Sequence, residues 1–472
     1  MAPSKDIYLV VGGSGFLGRH IVQQLLDRGD TVSVLDIVQR YHDVPFYSAD
    51  ISEQDQVAAA LRKSGTTCII HTASPPAGLN DAALYWKVNV DGTKAVIAAA
   101  QECDVRKLVF TSSAGVVFSG KDLVNIDERF PPPEQAMDAY NESKAKAEEA
   151  VLAANGKEGL LTVALRPAGI FGPGDRQVMA GLYRVFEDRK THFQIGDNTN
   201  LFDWTYVGNV AHAHLLAADK LEIPPPAPPL GPLEKIPSEP PAISEAELEI
   251  LATSLPQINL TVGNRRTPTS KARPLGPYVT LPPNAEKLVQ AFQLPEDTSS
   301  RPVTRTRFDP LSEQSIARAK LHNPEISPLQ VAGQVFFITN GEPCFFWDMP
   351  RCIWRKLDAM FPGHLAARRQ IVLPRSIGMA AAWASEWSGW VVGKEPALTR
   401  FKVSFSCVNR WHNIEKARRV LGYEPRTGLQ EGIDKMFEVR FFFCHRLVQT
   451  LTTSFQQWWR SEYLGGTHKT AH

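Results

Sequence analysis

The chain has 472 residues, a length that suggests roughly two to three domains, and its 43% hydrophobic and 21% charged residues are ordinary for a folded soluble protein. Lys+Arg (51) and Asp+Glu (50) nearly cancel, so the cationic surplus of a nucleic-acid binder is missing and no nucleic-acid partner is expected. Six cysteines form no CxxC pair and no metal-ligand spacing, which argues against a disulfide scaffold or a bound metal and for a reducing compartment.

Met1–Asp6 is too short, and lacks the apolar core, for a targeting signal. Ile7–Val11 then reads as a strand, Phe16–Leu26 as a helix with Leu17, Ile21 and Leu25 on one face, and Thr31–Leu35 as a second strand. Cys68–His71 and Lys107–Thr111 are further strands, with helices predicted at Gln54–Lys63, Ala82–Cys103 and Tyr140–Ala154. This alternation predicts an α/β fold of the Rossmann type, a doubly wound parallel sheet spanning residues 1–222. Residues 223–328 break the pattern. Of 35 prolines, 18 fall between Pro224 and Pro310, which excludes a central strand and reads as a partly disordered insertion, with helical turns at most at Ala246–Leu255 and Ala285–Phe292. Order resumes with a strand at Gln334–Thr339 and helices at Phe345–Met360 and Asn413–Leu421, so 329–438 reads as a smaller C-terminal substrate-binding part.

Gly12, Gly15 and Gly18 form GxxGxxG between the first strand and helix. In that context the glycines allow a tight turn, close approach of backbone to a pyrophosphate, and close packing of helix on sheet, while the helix N-terminus offers free N–H groups. Asp36 ends the second strand about 20 residues on, where a carboxylate accepts a bond from a ribose hydroxyl and repels a 2′-phosphate. NAD is therefore expected rather than NADP.

Tyr140 and Lys144 are four apart on one helical face, and Ser112 and Ser113 follow a strand at its carboxyl end, where a parallel sheet presents its ligand crevice. A tyrosine hydroxyl titrates near 10 in water, and a neighbouring ammonium with the positive nicotinamide ring is expected to lower it into the range of a useful base. A serine hydroxyl can then hold the substrate oxygen.

Together VGGSGFLG (11–18), ADI (49–51), HTASP (71–75), VNVDGT (88–93), TSSAGVVF (111–118), YNESK (140–144) and LRPAGIFGPGD (165–175) resemble the extended short-chain dehydrogenase/reductases, within them the 3β-hydroxysteroid dehydrogenase group. DWTYV (203–207) with Asn209, FFITNGEP (336–343) with Trp347, and NIEKARRVLGYEP (413–425) narrow the resemblance to the fungal sterol-synthesis branch that decarboxylates 4α-carboxysterols. The resemblance implies catalysis by Ser113, Tyr140 and Lys144, with Ser112 the alternative serine. It implies cofactor contacts from Gly12, Gly15, Phe16, Leu17, Gly18, Asp36, Asp50, Ile51, Ala73, Ser74, Tyr140, Lys144, Pro167 and Ile170, with Ala168 alongside. Asn89 is expected to be structural. His71 is open between a proton relay and a structural residue, Arg166 between a substrate carboxylate and an internal ion pair. Asp203, Tyr206 and Asn209 are open between positioning the substrate part and ordinary packing.

The implied reaction is NAD-dependent oxidation of the 3β-hydroxyl of a 4α-carboxysterol, followed by loss of CO2 to give a 3-ketosteroid in ergosterol synthesis. Alternatives are a 3β-hydroxysteroid dehydrogenase/isomerase, a nucleotide-sugar epimerase or a reductase of the same superfamily, and a non-enzymatic NAD sensor, against which the intact Tyr140 and Lys144 argue. The implied partners are a sterol substrate and the cytosolic face of the endoplasmic reticulum membrane, peripherally bound; association with other sterol C4-demethylation enzymes and homodimerisation stay open. No stretch is long and apolar enough to span a bilayer. At 376–393, however, Trp383, Trp387 and Trp390 share one face between Arg375 and Lys394, as in a helix lying at a membrane interface. Beyond Glu438 the tail is atypical. Residues 439–456 interrupt an amphipathic helix, Glu431–Glu438 with Trp458–Tyr463, and read either as a retained intron, with splice-like codons at Val439 and Gln456 or Gln457, or as a membrane-binding loop.

Overall fold

The computed structural model describes residues 5–128, 130–222, 257–258, 279–280, 330–365, 369–392, 398–414 and 416–438. The predicted helical turns within 223–328 and the whole 439–472 tail lie outside them.

The first half follows the predicted alternation: β1 (Ile7–Val11), α1 (Phe16–Arg28), β2 (Thr31–Asp36), β3 (Phe46–Ser48), α2 (Gln54–Ser64), β4 (Cys68–His71), α3 (Ala82–Tyr85), α4 (Thr93–Glu102), β5 (Lys107–Thr111), β6 (Leu123–Ile126), α5 (Ala139–Ala153) and β7 (Leu161–Pro167). Then come β8 (Gly169–Phe171), α6 (Val178–Glu187), β9 (Phe193–Ile195), β10 (Leu201–Phe202), β11 (Trp204–Tyr206) and α7 (Val207–Lys220). The two-residue β12 (Gln257–Ile258) and β13 (Val279–Thr280) pair with each other. The chain continues with β14 (Val335–Ile338), β15 (Cys344–Phe345), α8 (Asp348–Met360), β16 (Ile371–Leu373), α9 (Arg375–Val392), α10 (Arg400–Cys407), β17 (Arg410–His412) and α11 (Leu429–Glu438).

Seven strands form one parallel sheet in the order β14-β7-β5-β4-β1-β2-β3. The chain leaves β1 toward one edge and returns at β4 to build toward the other, so the crevice at their carboxyl ends is where such sheets bind ligands. Alternate residues face opposite sides, as the strand pleat requires. Tyr8 and Val10 enter one apolar cluster, Leu9 and Val11 the other, and helices cover both.

The two halves of the chain interleave. β14, from beyond the proline-rich stretch, completes the edge beside β7, pairing Val335 with Ala164 through Ile338 with Pro167. A second sheet, β15-β10-β17-β6, likewise draws strands from both halves.

Three predicted helices differ in detail. The stretch expected as one helix from Ala82 to Cys103 is α3, a π-helical segment at Trp86–Gly92, and α4. Gly92 ends this wider turn close to Ile51, whose Cδ1 would lie 2.8 Å from a Cβ there. α8 starts at Asp348, because Cys344–Phe345 is used as a strand against Leu201–Phe202. Ala417–Leu421 is also π-helical and ends on Gly422 at φ +63°. Among the described residues no helix is long and apolar enough to cross a membrane, and no cluster of His, Cys, Asp or Glu could hold a metal ion.

Candidate active site

The turn after β1 shows why two of its glycines are needed. Gly12 has φ +85°, and a Cβ there would lie 2.7 Å from the Ala73 nitrogen in the loop after β4. A Cβ on Gly18 would lie 2.2 Å from the Gly12 carbonyl, so only glycine lets α1 begin this close to the sheet. Gly15 is the N-cap of α1, with no side chain capping the helix and no acidic residue in its first turn. An uncapped N-terminus closed in by glycines fits a phosphate group. Asp36 faces the same loop, its Oδ2 accepting from the Ser14 N–H at 3.0 Å. Phe16 is half-buried and meets His20 edge-on, while His20 pairs with the Pro173 carbonyl at 2.8 Å, tying α1 to the loop beyond Ile170. Leu17 is buried in the core.

Asp50 and Ile51, expected to contact the cofactor, follow β3 at its carboxyl end. Asp50 is half-buried, accepting from the backbone and hydroxyl of Ser52 at 2.9 and 2.8 Å and from Lys87 at 3.3 Å; the Ser52 bonds foremost hold its carboxyl below the usual range. Ile51 is buried against Gly92. On the other side of the crevice Pro167 ends β7 opposite Ile338, and Ile170 pairs with Thr205.

The reacting groups converge between these arms. Asp138 caps α5, accepting from the Asn141 N–H at 2.8 Å, and so fixes where the helix carrying Tyr140 and Lys144 begins. The Tyr140 hydroxyl hydrogen-bonds with the side chains of Ser113 and Ser74, and its ring packs edge-to-face on Tyr85 at 5.5 Å. Ser113 also accepts from the Gly115 N–H at 3.0 Å. Lys144 is buried and donates to the Thr111 carbonyl at 2.5 Å, with Nζ 4.5 Å from the centre of the Phe110 ring.

Within the protein itself, burial opposes the expected lowering of the phenol. Burial pushes the Tyr140 hydroxyl up to about 12, against the pull of Ser113 and Ser74, and Lys144 is not among the groups lowering it. Burial is felt by the lysine as well, which it pushes down to about 7 although Glu148 pulls it up. Desolvation therefore outweighs the direct influence of the ammonium on the phenol.

The open alternatives resolve into partners. Ser112 donates to Glu148 at 2.6 Å, and Glu148 is clamped by Arg166 in a buried ion pair at 2.5 Å, so Ser113 alone of the two serines bonds to Tyr140. Arg166 thus makes an internal pair. His71 is buried, 3.1 Å from the Thr93 hydroxyl, and desolvation pushes it down to about 3, which keeps it neutral at neutral pH and suits a structural role. Asn89 donates to Ser143 at 2.9 Å, holding the π-helical segment against α5. Asp203 accepts from the backbone and ring of His412 at 2.7 and 3.0 Å. Asn209 and the Tyr206 N–H both donate to Asn340, and Asn209 accepts from Arg426 and Thr427, so these residues pin the C-terminal part in place.

A model of the 3-beta hydroxysteroid dehydrogenase/isomerase family matches residues 9–231. The sterol-4-alpha-carboxylate 3-dehydrogenase, decarboxylating, of Saccharomyces cerevisiae is 37% identical over 444 residues, covering 91% of this chain and 96% of that one. The chain belongs to the decarboxylating sterol-4-alpha-carboxylate 3-dehydrogenase family. The mouse member is 46% identical over 215 residues, covering 45% of this chain and 59% of the relative. Among solved structures, an epimerase of Methanothermobacter thermautotrophicus superposes with a TM-score of 0.56 at 14% identity, over 94% of this chain and 95% of that one, a likeness of fold.

Two residues of this dehydrogenase site escaped sequence reasoning. Glu148 continues the Tyr140–Lys144 spacing by four more residues, a signal available in the sequence. Tyr85, whose hydroxyl donates to the Pro76 carbonyl at 2.6 Å while its ring backs Tyr140, carries no such signal.

Proposed function

We propose that the chain oxidises the 3β-hydroxyl of a 4α-carboxysterol with NAD and releases CO2, leaving a 3-ketosteroid. What carries this reading is the convergence of the Ser113, Ser74 and Tyr140 hydroxyls over a buried Lys144, beside a glycine turn and Asp36, in a member of this family. NAD, held by the turn and by Asp36, supplies the hydride acceptor and a positive ring that favours the phenolate. Tyr140 takes the hydroxyl proton as the hydride leaves carbon 3. Ser113 holds the oxygen as it becomes a carbonyl. Lys144, held by the Thr111 carbonyl, is a buried titratable group on the same helix face as Tyr140. In the 3-keto acid the bond from C4 to the carboxylate breaks, its electrons entering an enolate that water protonates at C4. That step needs little dedicated machinery because the enolate is delocalised.

The test is NADH release from 3β-hydroxysterols with and without a 4-carboxylate, and from nucleotide sugars. Release dependent on the carboxylated sterol is expected. Turnover of a nucleotide sugar with no net NADH would instead make the protein an epimerase.

We further propose that the protein meets its substrate at the endoplasmic reticulum membrane through α9. Gly378 and Ala382 of this helix face the protein, while Trp383, Trp387 and Ile377 are 62%, 60% and 55% exposed. The preceding β16 and its partner β9 add exposed Ile371, Val372 and Phe193. Tryptophans on an apolar helix face are suited to the headgroup region of a bilayer.

A further inference from the structure

Arg410 lies in β17, opposite Phe202 of β10 and Leu123 of β6, with 9% of its surface exposed. Its guanidinium carbon is 4.1 Å from the ring centre of Phe118, 4.7 Å from Phe405 and 5.5 Å from Phe202. Among the described residues it has no hydrogen-bonded or ion-paired oxygen, and its Nε is buried without a partner. By contrast, four buried or largely buried cations among the described residues each have an acceptor: Arg28 has Asp30 and Asp219, Lys144 the Thr111 carbonyl, Arg166 Glu148, and Lys416 the Val335 carbonyl. Burial lowers Arg410 only to about 10, so it stays charged at neutral pH. Asp138 and Asp203 act on it from beyond ion-pairing distance, and both are engaged elsewhere, Asp138 with Asn141 and Asp203 with His412. Three ring faces offset part of the cost of a desolvated cation, but they are not an anion.

Its place in the fold matters as much as its lack of a partner. Phe118 ends the short turn that begins at Ser113. Asp138 caps the helix that carries Tyr140. Phe202 lies where a Cβ on Gly169, the residue before Ile170, would come within 3.1 Å. The guanidinium thus touches the end of the turn that begins at Ser113 and feels the carboxylate that caps the helix of Tyr140.

We propose that Arg410 is the anion subsite of the substrate pocket, its guanidinium receiving the carboxylate on C4 of the sterol while Tyr140 and Ser113 act at C3. This rests on the reading that the substrate is a 4-carboxysterol. The planar fork of an arginine matches a carboxylate with two parallel hydrogen bonds, which a lysine cannot reproduce. The aromatic cage holds the fork in orientation, and the loss of CO2 removes the charge it binds, which favours release of the ketone.

The test uses the full chain with NAD and two sterols, a 4α-carboxy 3β-hydroxysterol and its 4-unsubstituted counterpart, the latter as substrate or as competitive inhibitor. Arg410→Gln should raise KM for the carboxysterol by about 100-fold or more, as for loss of a buried charge partner. The corresponding constant for the unsubstituted sterol should change by less than about threefold, within the scatter of a neutral pocket change. Arg410→Lys should fall between, and it carries the same comparison if the glutamine variant does not fold. Equal losses on both sterols, or no loss on either, overturn the subsite. A wild-type protein that makes no NADH from the carboxysterol removes the reading of the reaction and the subsite with it, whereas a wild type that does so with variants that fail to discriminate overturns the subsite alone.

Discussion

Ser112 and Ser113 are neighbours in the chain with different partners. The extended backbone after β5 sends alternate side chains to opposite sides, so Ser112 meets the Glu148–Arg166 pair while Ser113 meets Tyr140. Ser112→Ala should lower stability by about 1–3 kcal/mol, the range for removing a hydrogen bond to a buried charge, with KM unchanged. Ser113→Ala should leave the urea midpoint in place and lower kcat by about 100-fold, a typical loss for one positioned polar group. The reverse pattern would exchange their roles. Lys144 adds a pH signature. Its folded value of about 7 lies below the ordinary lysine value, so between the two the unfolded chain binds more protons and stability rises with pH. Relative to Lys144→Met, the wild type should therefore gain stability from pH 7 to pH 10, read from urea midpoints at both, whereas a constant difference would contradict the assigned desolvation.

At the scale of elements, periodicity reports which face of a segment is apolar but not how tightly it winds. β1, β4 and β5 were legible to the residue because each is a short β-branched or aromatic run between turn signals. The segment Trp86–Gly92 reads as ordinary helix in the sequence, and neither its π winding nor the close approach of Gly92 to Ile51 is encoded in a local pattern. The Arg410 cage was invisible for a related reason, since Phe118, Phe202 and Phe405 come from three distant segments. α9 lies at the legible extreme, its tryptophan spacing plain in the sequence and two of those side chains exposed in the fold. Trp383→Ser with Trp387→Ser should abolish co-sedimentation with phosphatidylcholine–phosphatidylserine vesicles and leave thermal unfolding unchanged. Undiminished sedimentation would remove α9 from the membrane contact.

Across the whole molecule, the proline-rich stretch does not separate two self-contained sheets. β14 pairs with β7 over four residues after that stretch, and β17 lies between β10 and β6 from before it. Asn340, from the later half, receives bonds from Tyr206 and Asn209 of the earlier half. Local alternation revealed β1, β2, β4 and β5, and Gln334–Thr339 read as a strand, but β3 and β7 were not expected and nothing local marked β14 as the neighbour of β7, because pairing partners so far apart leave no mark on either segment. A chain ending at residue 222 should therefore expose the β7 edge and lose cooperative unfolding, monitored by circular dichroism, and a sharp wild-type-like transition in that fragment would show the first half to be self-sufficient. The central claim, oxidation at C3 followed by loss of the C4 carboxylate, is tested most directly by following both products at once. With a carboxyl-labelled 4α-carboxysterol and NAD, labelled CO2 and NADH should appear in equal amounts, and both should vanish in Tyr140→Phe. NADH without CO2, or undiminished turnover in that variant, would contradict the account.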